Sequence, residues 1–359
     1  MRISSNVSVA GFPLAPYRFI GKVTFLALLL CAAAYAAMTT SGLTRLAAEL
    51  LIGVLLVHAT ELVHQCLHQT GTGVGRADRF LGAILAALAC LSFNHYRYWH
   101  LYHHAHNGSE EDRESFGYAY PLMMSRNRLM RLAGVALHLS MVFYFIQTLQ
   151  RLALAAVGKL APRLIGATPA VPPKPAYAIQ RDYQLIGIGL FIAVLGSVVF
   201  GADTIVRLWL IPLCFWAPIH ALIELPEHFL CDHPDELERH NTRSIRAGAF
   251  MQWYTNGNCF HVGHHDNMRV PMHRLEEYER EMRRISPFKY DEASYGSFYL
   301  SFAWYILSGK WRYIGRAPVN QAQQDVTEPQ LNVLVGAMRK AAYRGEASSA
   351  AKAESPTSQ

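Results

Sequence analysis

Charge is scarce in this chain. Only 16% of its 359 residues are Asp, Glu, Lys or Arg, against roughly 25% in an average soluble protein, while 52% are hydrophobic. The length would allow two soluble domains, but the deficit of charge points to one membrane body with polar excursions. Cysteine is sparse and unpatterned. Cys31, Cys66, Cys90, Cys214, Cys231 and Cys259 lie mostly inside apolar runs, with no C-x-x-C pair, and read as reduced, packed thiols in a non-oxidising setting. No Lys/Arg run interleaved with aromatics is present, so nucleic acid is not an expected partner. The net charge of +7 is assigned instead to basic loops facing an anionic inner leaflet. The glycine-rich TGTGVG from Thr70 to Gly75 lacks a following Lys-Ser/Thr, which makes it a flexible turn rather than a P-loop.

Long uncharged runs set the expected topology. Val23 to Thr44 is long enough to cross a bilayer of ~30 Å, and Arg18 and Lys22 before it place its start on the cytoplasmic side. A cleaved signal peptide is the competing reading, disfavoured because more apolar helix follows at once. Leu46 to Leu67 returns, with Glu49, His58, Glu61 and His64 gathered toward its end; ionisable groups at membrane depth are costly and functional by default. Phe80 to Phe93 spans roughly 21 Å as a helix, too short to cross, and reads as re-entrant or interfacial. Leu132 to Gln150 is long enough to cross, but a crossing there would put the last histidine cluster on the far side, so it is read as lying in or dipping into the interface. Five prolines between Lys159 and Arg181 predict a loop without regular helix. Tyr183 to Ala202 and Thr204 to Leu225 form a second hairpin, and Phe298 to Leu307 is expected to rest on the membrane.

The expected fold is therefore an all-α integral membrane protein. It has about four transmembrane helices in two hairpins, re-entrant or interfacial helices, and a cytoplasmic histidine-rich cap. Residues 1–18 form an N-terminal cytoplasmic segment, 19–285 the membrane unit, 286–344 a cytoplasmic or interfacial segment, and 345–359 a disordered tail. The expected location is the inner membrane of a bacterium.

Histidine is what the chain has in excess: seventeen in all. His100, His103 and His104 in HLYHH share an H-x-x-H-H spacing with His261, His264 and His265 in HVGHH, and His64 and His68 stand four apart in HQCLH. On a helix such spacings share one face, so each triplet is expected to converge on one small volume. A lone pair of this kind is most often filler, but chance histidine-rich patches do not repeat a spacing. One metal would not need eight imidazoles; two ions with four or five ligands each would use them all. Imidazole suits iron, copper and zinc. Two all-nitrogen sites with open positions at a membrane surface favour redox chemistry with O2 on a substrate supplied by the bilayer. His228, in ELPEH just after the fourth span, is expected as a ninth ligand, with Glu227 orienting an imidazole N–H. His58, His95, His106, His138, His220, His233, His240 and His273 are read as ordinary.

Together these motifs resemble the membrane fatty acid desaturase family, the non-haem diiron enzymes. The three histidine boxes match. So do NCFHVGHH followed by VPMHRL, NTRSI from Asn241, PEH from Pro226 and RADRFLG from Arg76. The likeness covers roughly residues 45 to 280. It implies two iron ions held by His64, His68, His100, His103, His104, His228, His261, His264 and His265, with O2 as co-substrate. The implied reaction is desaturation of a fatty acyl chain carried by a lipid, coenzyme A or acyl carrier protein, of the EC 1.14.19 type. No H-P-G-G of a fused cytochrome b5 domain is visible, so electrons are expected from a separate protein such as ferredoxin or cytochrome b5. Two departures stand out: Gln65 replaces the usual acid of the first box, with Glu61 nearby, and Asp266-Asn267-Met268 replaces the usual Phe-Pro. The alternatives are a hydroxylase, ketolase or acetylenase acting on a lipid or specialised acyl metabolite. A non-catalytic membrane protein that binds haem or stores metal is a further one, although one or two axial histidines would leave most of the set unexplained.

Overall fold

The computed structural model describes residues 11–107, 112, 119–199, 203–231, 241–285, 288 and 290–312. The tail from 345 to 359 lies outside the described residues. Pro16–Thr39 (α1) and Gly42–Leu67 (α2) form a tight hairpin, with Thr40 and Ser41 between them. Pro16 opens α1 at a position where its missing N–H is harmless, and Arg45 folds back to donate to the Thr40 carbonyl at 2.8 Å. Gly75–Leu88 (α3) and Phe93–His106 (α4) meet at 103°. The re-entrant reading of Phe80 to Phe93 fits that sharp turn.

Tyr120–Met123 (α5), Arg128–Ser140 (α6) and Val142–Ala156 (α7) follow. The apolar stretch Leu132 to Gln150 is thus broken, with α6 and α7 bent by 46° about Met141, whose φ is 47°. Leu160–Ile165 (α8) leads to Pro173–Val199 (α9), then a π-turn, Val206–Leu210, runs straight into Ile211–His228 (α10). After α10 come Ser244–Ile245 (β1), Ala249–Tyr254 (α11), His261–Asp266 (α12), Leu275–Ile285 (α13), Asp291–Glu292 (β2) and Tyr295–Ser308 (α14). β1 and β2 pair in parallel, a two-residue exception to an otherwise helical chain.

Two expectations need correction. The proline-rich stretch is not free of helix: Pro162 sits in the first turn or so of α8, and Pro173 and Pro175 lie in the first turn of α9, where no intrahelical N–H is lost. ELPEH does not follow the fourth span but closes it, since α10 runs through Pro226 to His228.

Among the described residues four helices are long and apolar enough to cross a membrane: α1, α2, α9 and the π-turn with α10. The count rises to six if each bent pair is one span. α2 is the central one, buried along most of its length, whereas α9 turns outward Phe191, 68% exposed, and Val198, 73% exposed. Large apolar side chains bared in rows are stable against lipid, not water. α2 and α10 cross closely at Gly53, where a Cβ would stand 2.7 Å from both the Phe215 Cβ and the Pro212 carbonyl oxygen. Asp182 of α9 fixes the start of α4, accepting from Ser92 Oγ at 2.7 Å and the Asn94 backbone N–H at 2.9 Å.

The crossing generates a test. Gly53→Val is expected to destabilise the detergent-solubilised protein by about 1–3 kcal/mol, as overpacking does. Gly189→Ala, where a Cβ meets nothing, is expected to leave the unfolding temperature unchanged or slightly raised. Thermal scans of the two variants beside the parent check this.

Candidate metal centre

Each H-x-x-H-H box divides its histidines between two places. At 3.6 residues per turn, position i+4 lies about 40° ahead of i around the helix, and i+3 about 60° behind it. On α4, His100 and His104 turn one way and His103 the other; on α12, His261 and His265 go together and His264 apart. The result is two adjoining groups. His64 and His68, from the end of α2, join His100, His104 and His264, with one nitrogen of each within 4.8 Å of all the others. His103, His228 and His265 form a second set, and His228 and His261 share a third with Glu227. The expectation that each triplet converges on one volume is therefore corrected: all nine predicted histidines come together, but as five and four. The rings of His104 and His265, 4.3 Å apart between centroids, form a join between the groups.

Within the five, Nε2 atoms face one another across 2.8 Å for His64–His100 and His68–His100, and 3.0 Å for His100–His104 and His104–His264. Within the four the corresponding distances are 3.2 Å for His103–His228, 3.0 Å for His228–His261 and 3.2 Å for His261–His265. Imidazole nitrogens bind zinc-like ions at about 2.0–2.1 Å, so ligands at right angles stand about 3 Å apart. The spacing is that of a coordination shell.

Hydrogen bonds on the opposite ring nitrogens decide what faces inward. His103 Nδ1 meets Asp112 Oδ1 at 2.8 Å, His228 Nδ1 meets the Asn241 carbonyl at 3.2 Å, and His261 Nδ1 meets Asn258 Oδ1 at 3.0 Å. Asn258 is itself held by its Nδ2, which donates to Glu227 Oε1 at 2.8 Å, so its oxygen is the atom left for His261. Three acceptors on Nδ1 put the protons there and leave three Nε2 lone pairs pointing at one another. Burial, reinforced by neighbouring imidazoles, holds His261, His264 and His265 well below the usual histidine range. The rings are neutral, and a cation between them is what makes the arrangement favourable. The residues present therefore fit a pair of metal ions. Glu227 orients His261 through Asn258 rather than directly, and its second oxygen lies 3.4 Å from His261 Nε2.

The loops around the cage explain the flanking motifs. Arg243 of NTRSI is buried and donates to the Pro226 and Phe229 carbonyls, while the Arg243 backbone N–H and Thr242 hydroxyl donate to the Glu227 carbonyl at 2.9 and 3.1 Å. The segment staples the last turn of α10, where Glu227 and His228 sit. Ser244 Oγ accepts the Val262 N–H at 2.9 Å and donates to Glu279 Oε1. Gln65, in place of the usual acid, plays a structural part: its Nε2 donates to the Thr70 carbonyl and its Oε1 accepts from Asn256 Nδ2, both at 2.8 Å. Of the histidines read as ordinary, His58, His106 and His138 bond to backbone carbonyls. His233 and His240 lie outside the described residues.

Sequence reasoning missed Asn107, Asp112, Asn258 and Glu279. Asn107 and Asp112 follow the second box, and Asn258 stands three residues before His261, a position from which a side chain can reach the same helical face. Glu279 carried no local signal. It accepts the Gly263 N–H at 2.8 Å and a bond from Arg283 Nη2 at 2.8 Å, and a Cβ on Gly263 would stand 2.7 Å from its Cγ. Burial pushes its carboxyl up to about 7, opposed by Arg283 and by the hydrogen bonds from Ser244 and Gly263. Glu279→Ala leaves those donors without their acceptor and is expected to destabilise the protein by about 1–3 kcal/mol, with a fall in metal content. Glu279→Gln, which keeps one acceptor oxygen, is expected to fall between it and the parent in thermal scans and elemental analysis.

No curated protein matches this chain. The family model described as Fatty acid desaturase matches residues 40–312, a stretch that holds α2 through α14, both nitrogen groups, the NTRSI staple and Glu279. On that match, and with a helical membrane bundle that closes around nine histidines, the chain belongs to the fatty acid desaturase family.

Proposed function

We propose that the protein is an O2-dependent desaturase of fatty acyl chains, working at a diiron centre held by the nine histidines. The observation that carries this reading is the pair of adjoining all-imidazole groups, five and four nitrogens, at the ends of membrane helices. Haem would use one or two of these rings, and a structural zinc four. Bound there, a pair of irons supplies the capacity to activate O2 and to take hydrogen from an unactivated C–H bond.

The chain's own part is placement. Asp112, the Asn241 carbonyl and Asn258 keep the protons of His103, His228 and His261 on Nδ1, so their Nε2 atoms stay available. The ends of α2 and α10 that carry His64 and His228 are buried, which keeps bulk water away. A cavity of about 820 Å³ runs between α3, α9 and the π-turn, lined by apolar residues including Ile84, Leu190 and Trp209. It reaches Phe93 at the start of α4, two turns before His100, and suits an apolar chain drawn from the bilayer. No cage histidine lines it, so it is not the reaction site itself.

The cage is read as facing the cytoplasm. Arg18 and Lys22 start α1 on the cage side, where Lys22 Nζ donates to Asn256 Oδ1 at 2.8 Å, and positive residues gather on the cytoplasmic side of membranes. An inner bacterial membrane, and a separate ferredoxin or cytochrome b5 as donor, complete the reading.

Purified protein is expected to hold about two irons per chain that depend on His103 and His264, without a haem Soret band. His103→Ala strips a nitrogen from the group of four and His264→Ala one from the group of five. Each is expected to cut product by ~100-fold or more, beyond the loss typical of partners outside the coordination shell, while the protein still reaches the membrane. Lipid profiling by gas chromatography and mass spectrometry of a host expressing each form reads this out. Full turnover in both, or a single haem iron, overturns the reading. A tag near Pro172 is expected on the cytoplasmic side, because the proline-rich stretch touches α4 where Tyr98 Oη donates to the Ala170 carbonyl. Protease protection of that tag in sealed vesicles checks the orientation.

A further inference from the structure

Three residues that the cage does not use stand together deeper in the bundle. Glu61 lies on α2 one turn before His64, and His220 on α10 two turns before His228, with Glu224 a further turn along the same face. One donor atom from each of Glu61, His220 and Glu224 lies within 4.8 Å of the others. Glu61 is 2% exposed, and both its carboxylate oxygens are buried without a hydrogen-bond partner among the described residues. His220 is fully buried, its ring stacked on Trp216 at 5.1 Å and 16°. Trp216 Nε1 donates to Thr60 Oγ1 at 3.2 Å, which turns the stacked pair toward α2. Lys22, whose charge acts on Glu61, spends its hydrogen bonds on Asn256 Oδ1 and the Trp253 carbonyl.

We propose that Glu61, His220 and Glu224 form a further metal site, separate from the histidine cage, for a divalent first-row transition ion that clamps α2 to α10. A carboxylate sunk among apolar helices, as that of Glu61 is, carries a large desolvation penalty unless paired, and Glu224, 12% exposed, stands beside it with an oxygen 3.8 Å from His220 Nε2. A divalent ion bound by two carboxylates and one neutral imidazole is neutral overall, the form that costs least in a membrane. The donors select the ion class. Calcium prefers oxygen alone and cuprous ion prefers sulfur, whereas Mn2+, Fe2+ and Zn2+ accept mixed oxygen and imidazole nitrogen. An i, i+4 His/Glu pair on one helix facing a Glu on its neighbour leaves further coordination positions open. The inference stands whether or not the cage holds iron, because it shares no ligand with it.

The test uses the full chain purified in detergent, with total Mn, Fe, Co, Ni, Cu and Zn per chain measured by elemental mass spectrometry. Glu61→Gln and Glu224→Gln are each expected to lose about one metal equivalent, while His264→Ala loses cage metal and keeps that one. An unchanged total in both glutamine variants, each eluting as the parent does, overturns the site. A second measurement needs no variant. The parent chain is stripped with chelator and treated with dicyclohexylcarbodiimide, which labels buried carboxyl groups, with and without added Zn2+. Peptide mass spectrometry is expected to show labelling at Glu61 reduced several-fold by Zn2+; equal labelling with and without the ion overturns the proposal.

Discussion

Lone pairs brought together in a dry space repel one another unless something positive lies between them. That constraint governs the centre of this protein. His103, His228 and His261 have their Nδ1 atoms tied to a carboxylate, a backbone carbonyl and an amide oxygen, so the Nε2 atoms that face each other across 3.0–3.2 Å are all acceptors. Protonating a ring would relieve the clash, but burial works against it. The surrounding helices fix this geometry: α2 and α10 are pressed together at Gly53, Arg243 staples the end of α10, and Asp182 anchors the start of α4.

The two groups differ in how firmly they are held from behind. Three rings of the four have an acceptor on Nδ1, and His265 Nδ1 accepts instead from Asn107 Nδ2 at 3.2 Å. In the five, the Nδ1 atoms of His68, His104 and His264 are buried with no hydrogen-bond partner among the described residues. Hydrogen bonds to the distal nitrogen fix the tautomer and strengthen the ligand. The group of four is therefore pre-organised by polar contacts, and the group of five by packing and by the number of rings.

Much of this was legible in the sequence, and the reasons are physical. Long uncharged runs report transmembrane helices, and all four expected spans are present because nothing but length and apolarity is required of them. A repeated H-x-x-H-H spacing reports a shared metal-binding face, and the six histidines named from it meet His64, His68 and His228. What the spacing could not report was the partition. The identity of the pattern in both boxes suggested two equivalent clusters, whereas the opposed directions of i+3 and i+4 send each box to both groups once α4 and α12 face each other. Helix ends were also misread. Pro173 and Pro226 look like breakers in a linear string, yet one sits where no backbone bond is lost and the other is carried within the last turn of α10. Glu279 was invisible for a different reason: its importance lies in contacts with Ser244 and Gly263, far from it in the chain.

The interlocking of the two boxes ties the fates of the two groups. Adding or removing a single residue inside HLYHH or HVGHH would swing the histidines beyond it by about 100°, displacing ligands of both groups at once. Neither half of the centre can then drift in spacing alone.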